Sequence, residues 1–312
     1  MPGSPPAPVV VLAGGTGGAK LARGMLDAAD GSPVVVVANT GDDVELYGAH
    51  VSPDPDLCSF WLADRIDARG WGLDGDTFHV MDGLRALGRD VWFNLGDRDL
   101  AVGLDRAERL ARGERLTDAL DALGAALGLA PRARVLPMSD LPVRTRVKAD
   151  GAWHPFQEFM IRRGGRGPVE DVAFDGLEAA APPPEVLAAL AGAHAIVLGP
   201  SNPVISLRPI LAVPGMLDAL RAAPAPVVAV SPIVGGQVVK GPTEPFLAWA
   251  GAGADVAGVA AYLGDVVDGW VCDEPDADLE VPVLTTDTLM PDAAGRARLA
   301  RETLGFAAAL GS

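Results

Sequence analysis

At 312 residues, 49% hydrophobic and 21% charged, the chain is long enough for one large α/β domain or two ordinary ones and too apolar to stay disordered. A formal charge of −16 excludes a protein that coats nucleic acid, because affinity for the phosphate backbone comes from Lys and Arg. Cys58 and Cys272 stand far apart, which excludes a disulfide framework and suits a reducing cytoplasm.

The leading residues MPGSPPAP carry no basic region, and the apolar run after them is too short for a signal peptide, so no membrane segment is expected. Val9–Ala13 reads as a buried strand, Gly14-Gly15-Thr16-Gly17-Gly18 as a tight turn, and the residues from Ala19 as a helix. Glycines let a backbone approach an anion, and the amides opening a helix attract it, so the turn is expected to hold phosphate. It fits neither standard phosphate loop. Lys20 stands where a dinucleotide fold has glycine or alanine, while Ala19 and Leu21 replace the second glycine and the hydroxyl of a Walker loop.

Pro33–Ala38 is the next strand, and it ends in Asn39 rather than in the acid that binds a ribose, which argues against NAD. Asn39-Thr40-Gly41-Asp42-Asp43 follows, then Ser52-Pro53-Asp54-Pro55-Asp56. Four carboxylates gathered at a strand end would suit Mg²⁺, which keeps waters and phosphate oxygens as ligands; as solvated turns they would need no ligand. Trp92-Phe93 reads as another strand end, followed by Asn94-Leu95-Gly96-Asp97-Arg98-Asp99, where Arg98 is either a surface ion-pair partner or a fork for a carboxylate or phosphate.

Alternation over Val143–Lys148, a turn at Asp150-Gly151 and a second run over Trp153–Ile161 mark residues 141–184 as an α+β insertion closed by Pro182-Pro183-Pro184. Residues 1–140 and 185–312 then form the core. Apolar runs return at Ala195–Leu198, Val227–Val230 and Gly269–Cys272, with Val281–Leu284 weakened by its proline. The loops after two of them, Gly199-Pro-Ser201-Asn202-Pro203 and Ser231-Pro-Ile-Val-Gly235-Gly236, offer amides and hydroxyls for a base and ribose, with Lys240 beyond as a phosphate contact. The expected fold is a Rossmann-like, doubly wound, mostly parallel sheet with one small insertion. The four histidines, His50, His79, His154 and His194, show no metal spacing, and none is expected to be catalytic.

Together these loops, in this order and with Phe156-Gln157-Glu158 in the insertion, resemble the 2-phospho-L-lactate transferase family of coenzyme F420 biosynthesis. The resemblance implies transfer of a phosphorylated three-carbon acid (lactyl, enolpyruvyl or glyceryl) from a guanosine-diphosphate-linked donor to the ribityl hydroxyl of the deazaflavin Fo, releasing GMP. It also implies Mg²⁺ and a cytoplasmic homodimer. On this expectation Asp42 and Asp56 hold the metal, and Asp43 or Asp54 orients or deprotonates the acceptor. Gly14–Gly18, Lys20, Gly199–Pro203, Ser231, Gly235, Gly236 and Lys240 contact the nucleotide, and Asn39, Thr40, Asp97 and Arg98 contact the acceptor. The alternative is a non-catalytic UDP-sugar-binding regulator of the same superfamily.

Overall fold

The computed structural model describes residues 6–239, 241–274 and 279–311. The first half runs β1 (Val9–Ala13), α1 (Gly15–Ala28), β2 (Val34–Ala38), β3 (Val44–Leu46), β4 (Ala49–Val51), α2 (Pro53–Leu62), α3 (His79–Ala86), α4 (Asp97–Ala111), α5 (Leu116–Ala126) and β5 (Ala133–Pro137). Then come β6 (Arg144–Ala149), β7 (Ala152–Pro155), α6 (Phe156–Arg162), β8 (Asp171–Asp175), α7 (Pro184–Ala191) and β9 (Ala195–Leu198). The last third is α8 (Arg208–Ala212), α9 (Met216–Ala222), β10 (Val227–Val230), β11 (Ile233–Val234), β12 (Gln237–Val238), α10 (Thr243–Trp249), α11 (Val256–Leu263), β13 (Gly269–Cys272), β14 (Val283–Thr285) and α12 (Ala293–Leu310).

Seven strands form a parallel sheet in the order β14-β13-β10-β9-β1-β2-β5. The α/β fold expected from the apolar runs is therefore present. Strands buried on both faces need apolar side chains at every position, and β1 divides them cleanly. Val9, Val11 and Ala13 pack with α1, α2 and α12, whereas Val10 and Leu12 face the core built on α7 to α11. Beyond β1 the chain builds outward to β2 and β5, and then returns to β9 and builds the other way. Strand order thus reverses between β1 and β9, where loops at the carboxyl ends diverge and leave a crevice.

The edge strand β5 lies outside the expected runs, because Arg134 and Pro137 interrupt it. Trp92-Phe93, in contrast, is not a strand end; no strand is assigned there, and Asn94–Gly96 leads directly into α4. Residues 44–111 instead form an excursion with its own small core of Ala49, Val51, Met81, Leu95 and Leu100. The expected insertion contains the antiparallel sheet β7-β6-β8 and α6. Among the described residues no single helix is long and apolar enough to cross a membrane.

Candidate active site

The glycine turn is shaped mainly by its neighbours. The Gly14 amide donates to Ser201 Oγ at 3.2 Å and the Gly15 amide to Asp54 Oδ1 at 2.7 Å, so protein groups already satisfy the first two amides. A Cβ on Gly17 would sit 2.2 Å from the Pro200 carbonyl oxygen, and one on Gly18 2.7 Å from Ser201 Oγ. These glycines bring the turn and the 199–201 loop into contact. Gly199 does the same from the other side, where a Cβ would lie 2.9 Å from Gly18 Cα. Gly15 differs: its φ is +65° and nothing lies within 4 Å of its Cβ direction, so its face is open to a ligand.

Two substitutions separate these roles. Gly17→Ala forces backbone apart and is expected to lower stability by about 1–3 kcal/mol, whereas Gly15→Ala carries only the strain of a left-handed residue, ~1–2 kcal/mol. Thermal unfolding distinguishes them; a larger loss in Gly15→Ala than in Gly17→Ala would contradict the assignment.

Four carboxylates converge beside this turn. Asp42 and Asp43 follow β2, and Asp54 and Asp56 lie in the first turn of α2, next to the positive end of that helix. Asp54 locks the pieces together, accepting from the Gly15 amide and, through Oδ2, from Asn39 Nδ2 at 2.9 Å. Asn39 also receives the Gly41 amide on Oδ1 at 2.8 Å and donates to the Ile205 carbonyl at 3.3 Å. Its carboxamide therefore organises the crevice floor.

Burial raises the Asp54 carboxyl to about 6, against the hydrogen bonds from Asn39 and Gly15. Burial and the neighbouring charges of Asp54 and Asp43 push Asp42 well above the usual carboxylate range. Asp42 Oδ1 is buried without a hydrogen-bond partner, and so are the hydroxyls of Thr40 and Thr145. Asp56 is paired with Arg106, a guanidinium only 2% exposed, whose Nη1 reaches Asp56 Oδ2 at 3.1 Å and the His50 carbonyl at 2.9 Å. Burial still raises the Asp56 carboxyl, with Arg106 opposing. Asp43 accepts from Ser52 Oγ at 2.7 Å, and its Oδ2 lies 3.0 Å from His50 Nε2.

The insertion closes over this loop. The Thr145 amide donates to the Gly41 carbonyl at 2.7 Å, and Gln157 Nε2 donates to the Asp42 carbonyl at 3.1 Å. Beside Thr40 and Asp43 opens a cavity of about 570 Å³, walled by Leu46, Ala49, Leu110, Leu116, Leu141 and Pro142.

Other expected site residues have structural duties. Lys20 Nζ lies 3.4 Å from the Met290 carbonyl and over the Trp61 ring. Asn202 Oδ1 caps the π-helical turn Pro203–Leu207, accepting from the Val204 and Ile205 amides. Ser231 Oγ accepts from the Ile233 amide at 3.1 Å within its own loop. Gly235 and Gly236 turn the β11–β12 hairpin with positive φ, and the Gly235 amide is held by Asp273. Asp97 accepts from the His79 and Val80 amides, capping α3, and Arg98 donates to the Asp74 carbonyl from an exposed position. The structure gives neither Asp97 nor Arg98 a hydrogen bond to the four-carboxylate cluster, and Lys240 lies outside the described residues. Arg106 and Thr145 leave no signal in the sequence, Gln157 stands out only within the Phe156–Glu158 run, and His50, expected to be inert, meets the cluster through Asp43, because only tertiary contacts bring these residues there.

Residues 9–288 match the family model described as 2-phospho-L-lactate transferase CofD. The chain belongs to this family. It is 40% identical to a phosphoenolpyruvate transferase of Streptomyces coelicolor, over 96% of this chain and 98% of that one. It is 34% identical to a 2-phospho-L-lactate transferase of Methanocaldococcus jannaschii, over 97% and 99%. A protein of the UPF0052 family from Bacillus halodurans shares the fold, with a TM-score of 0.61 over 97% of this chain and all of that one, at 16% identity. Membership makes the chain a transferase of coenzyme F420 biosynthesis.

Proposed function

We propose that the protein transfers a phosphorylated three-carbon acid from a guanosine-diphosphate-linked donor to the terminal ribityl hydroxyl of the deazaflavin Fo, releasing GMP, as a cytoplasmic homodimer. The observation that carries this reading is the cluster of buried Asp42, Asp43 and Asp54 with half-buried Asp56, between the uncovered face of Gly15 and a cavity beside Thr40 and Asp43. A diphosphate lies over β1, β9 and β10, with the 199–203 and 231–236 loops around the guanosine. The deazaflavin ring enters the cavity over β2 and β5, which brings its ribityl hydroxyl to Asp43.

In the reaction the acceptor oxygen bonds to the phosphorus bearing the acid, and the bond from that phosphorus to the GMP oxygen breaks. The hydroxyl proton passes to a carboxylate, and GMP departs as the anion. Asp43, held by Ser52 and His50, receives and orients the hydroxyl. Asp54 keeps the turn and β2 in register.

Asp42, with an unpartnered buried oxygen, and neighbouring Asp54 fit a hard divalent cation, with Thr40 and Thr145 supplying hydroxyl oxygens nearby. Among the described residues no three acidic, His or Cys side chains form a metal cage, so a cation here would draw its other ligands from water and phosphate oxygens. Asp56, a further ligand with Asp42 on this reading, has its charge balanced by Arg106. A cation held by Asp42 and Asp54 would supply charge neutralisation for the diphosphate and the departing phosphate.

The sign of the carboxyl shifts gives a test. A carboxyl raised in the folded state binds protons that the unfolded state has released, so stability falls as pH rises from about 4 toward 6. A cation offsets that loss where the carboxylates are charged. Mg²⁺ is therefore expected to raise the melting temperature by several degrees above pH 7 and by much less at pH 5, where protons replace it. An equal shift at both pH values would contradict a site at Asp42 and Asp54.

The rival reading, a non-catalytic UDP-sugar-binding regulator, is separated by a thermal-shift panel of GDP, a UDP-sugar and NAD, each with and without Mg²⁺. Stabilisation by GDP alone supports the transferase, and stabilisation by the UDP-sugar alone overturns it.

A further inference from the structure

We propose that His50 is the positioning residue of Asp43, fixing the carboxylate that meets the acceptor hydroxyl; the inference rests on the acceptor role given to Asp43 above. His50 lies in β4 and is 8% exposed. Its Nε2 stands 3.0 Å from Asp43 Oδ2 and its Nδ1 3.3 Å from Glu45 Oε1. The ring therefore bridges two carboxyl groups, with one nitrogen facing each.

The ring is held from several sides. Arg106 donates to the His50 carbonyl at 2.9 Å, and Arg144 of β6 donates to Glu45 Oε1 at 2.5 Å. Charges thus alternate along Arg144, Glu45, His50 and Asp43, drawing together the insertion, the β3–β4 hairpin and the loop after β2, and all four residues line the cavity. Burial works against a charged ring and Arg106 repels it, but the bonds to Asp43 and Glu45 outweigh both and raise the imidazole above its ordinary value. Glu45 is correspondingly lowered to about 2, chiefly by His50. With Ser52 on its other oxygen, Asp43 is pinned at both ends and has one orientation toward the cavity.

The full chain, saturated with Mg²⁺, is tested as wild type, His50→Leu and His50→Gln. A misplaced catalytic group costs ~100-fold, so His50→Leu is expected to lose about that much kcat while KM for the guanylylated donor stays unchanged. His50→Gln, whose amide reaches Asp43 but not Glu45, recovers most of the loss. Unchanged kcat in His50→Leu, or a Gln variant as poor as Leu at equal folded fraction, would overturn the assignment.

Nitrogen-15 NMR of protein labelled at its four histidines gives a readout independent of turnover. The His50 resonances, identified by their loss in His50→Gln, are expected to show a proton on Nε2, and Asp43→Asn shifts Nε2. A ring whose Nε2 carries no proton, or no response to Asp43→Asn, overturns the pairing. If the wild type turns over no guanylylated donor, the transferase reading fails, while the NMR result still judges the His50–Asp43 pair.

Discussion

Asp42→Asn is expected to lower turnover by ~10²–10³-fold, the usual effect of losing one group that stabilises transition-state charge, and, at the same time, to raise the melting temperature at neutral pH. Asp42 is 7% exposed, its Oδ1 has no partner, and burial with the charges of Asp54 and Asp43 pushes its carboxyl well up. An amide of the same shape removes the repulsion and leaves the surrounding backbone bonds in place, including the Gln157 contact to the Asp42 carbonyl. A group that destabilises its own fold is retained for chemistry. Both halves are read from purified protein, by kcat with saturating Mg²⁺ and by thermal unfolding without it. Unchanged activity, or a folded variant of lower stability, would contradict the role of Asp42.

Arg106→Met is expected to reduce unfolding free energy by about 3–5 kcal/mol, the usual effect of leaving a buried charge without its partner. The guanidinium is the cation in contact with Asp56, and it also holds the His50 carbonyl. Its loss strands a carboxylate in a site already crowded with negative charge. Adding Asp56→Asn to the same chain removes that charge and restores much of the stability. Urea unfolding of the two single variants and the double variant closes the cycle, and additive effects would show that the pair is not coupled.

The central sheet is legible in the sequence because parallel strands covered on both faces need unbroken apolar runs, as in Val34–Ala38 and Val227–Val230. β5 is not, since an edge strand tolerates Arg134 on its surface. The 44–111 excursion is also hidden, because the few apolar residues of its small core are scattered among charges and loops, and Trp92-Phe93 imitates a strand there. At the site, the aspartate loops announce themselves because they follow strand ends directly. His50 and Arg106 do not, because each matters through a contact that forms only when β4, α2 and α4 pack. The glycines serve two purposes: Gly17, Gly18 and Gly199 permit two loops to touch, whereas Gly15 leaves space for a ligand.

Mass spectrometry of the products formed from Fo, Mg²⁺ and guanosine-diphosphate-linked lactate, enolpyruvate or glycerate tests the central claim most directly. The expected result is stoichiometric GMP together with an Fo phosphodiester that carries the three-carbon acid of the accepted donor. No GMP and no change in the mass of Fo with any of the three donors would contradict it.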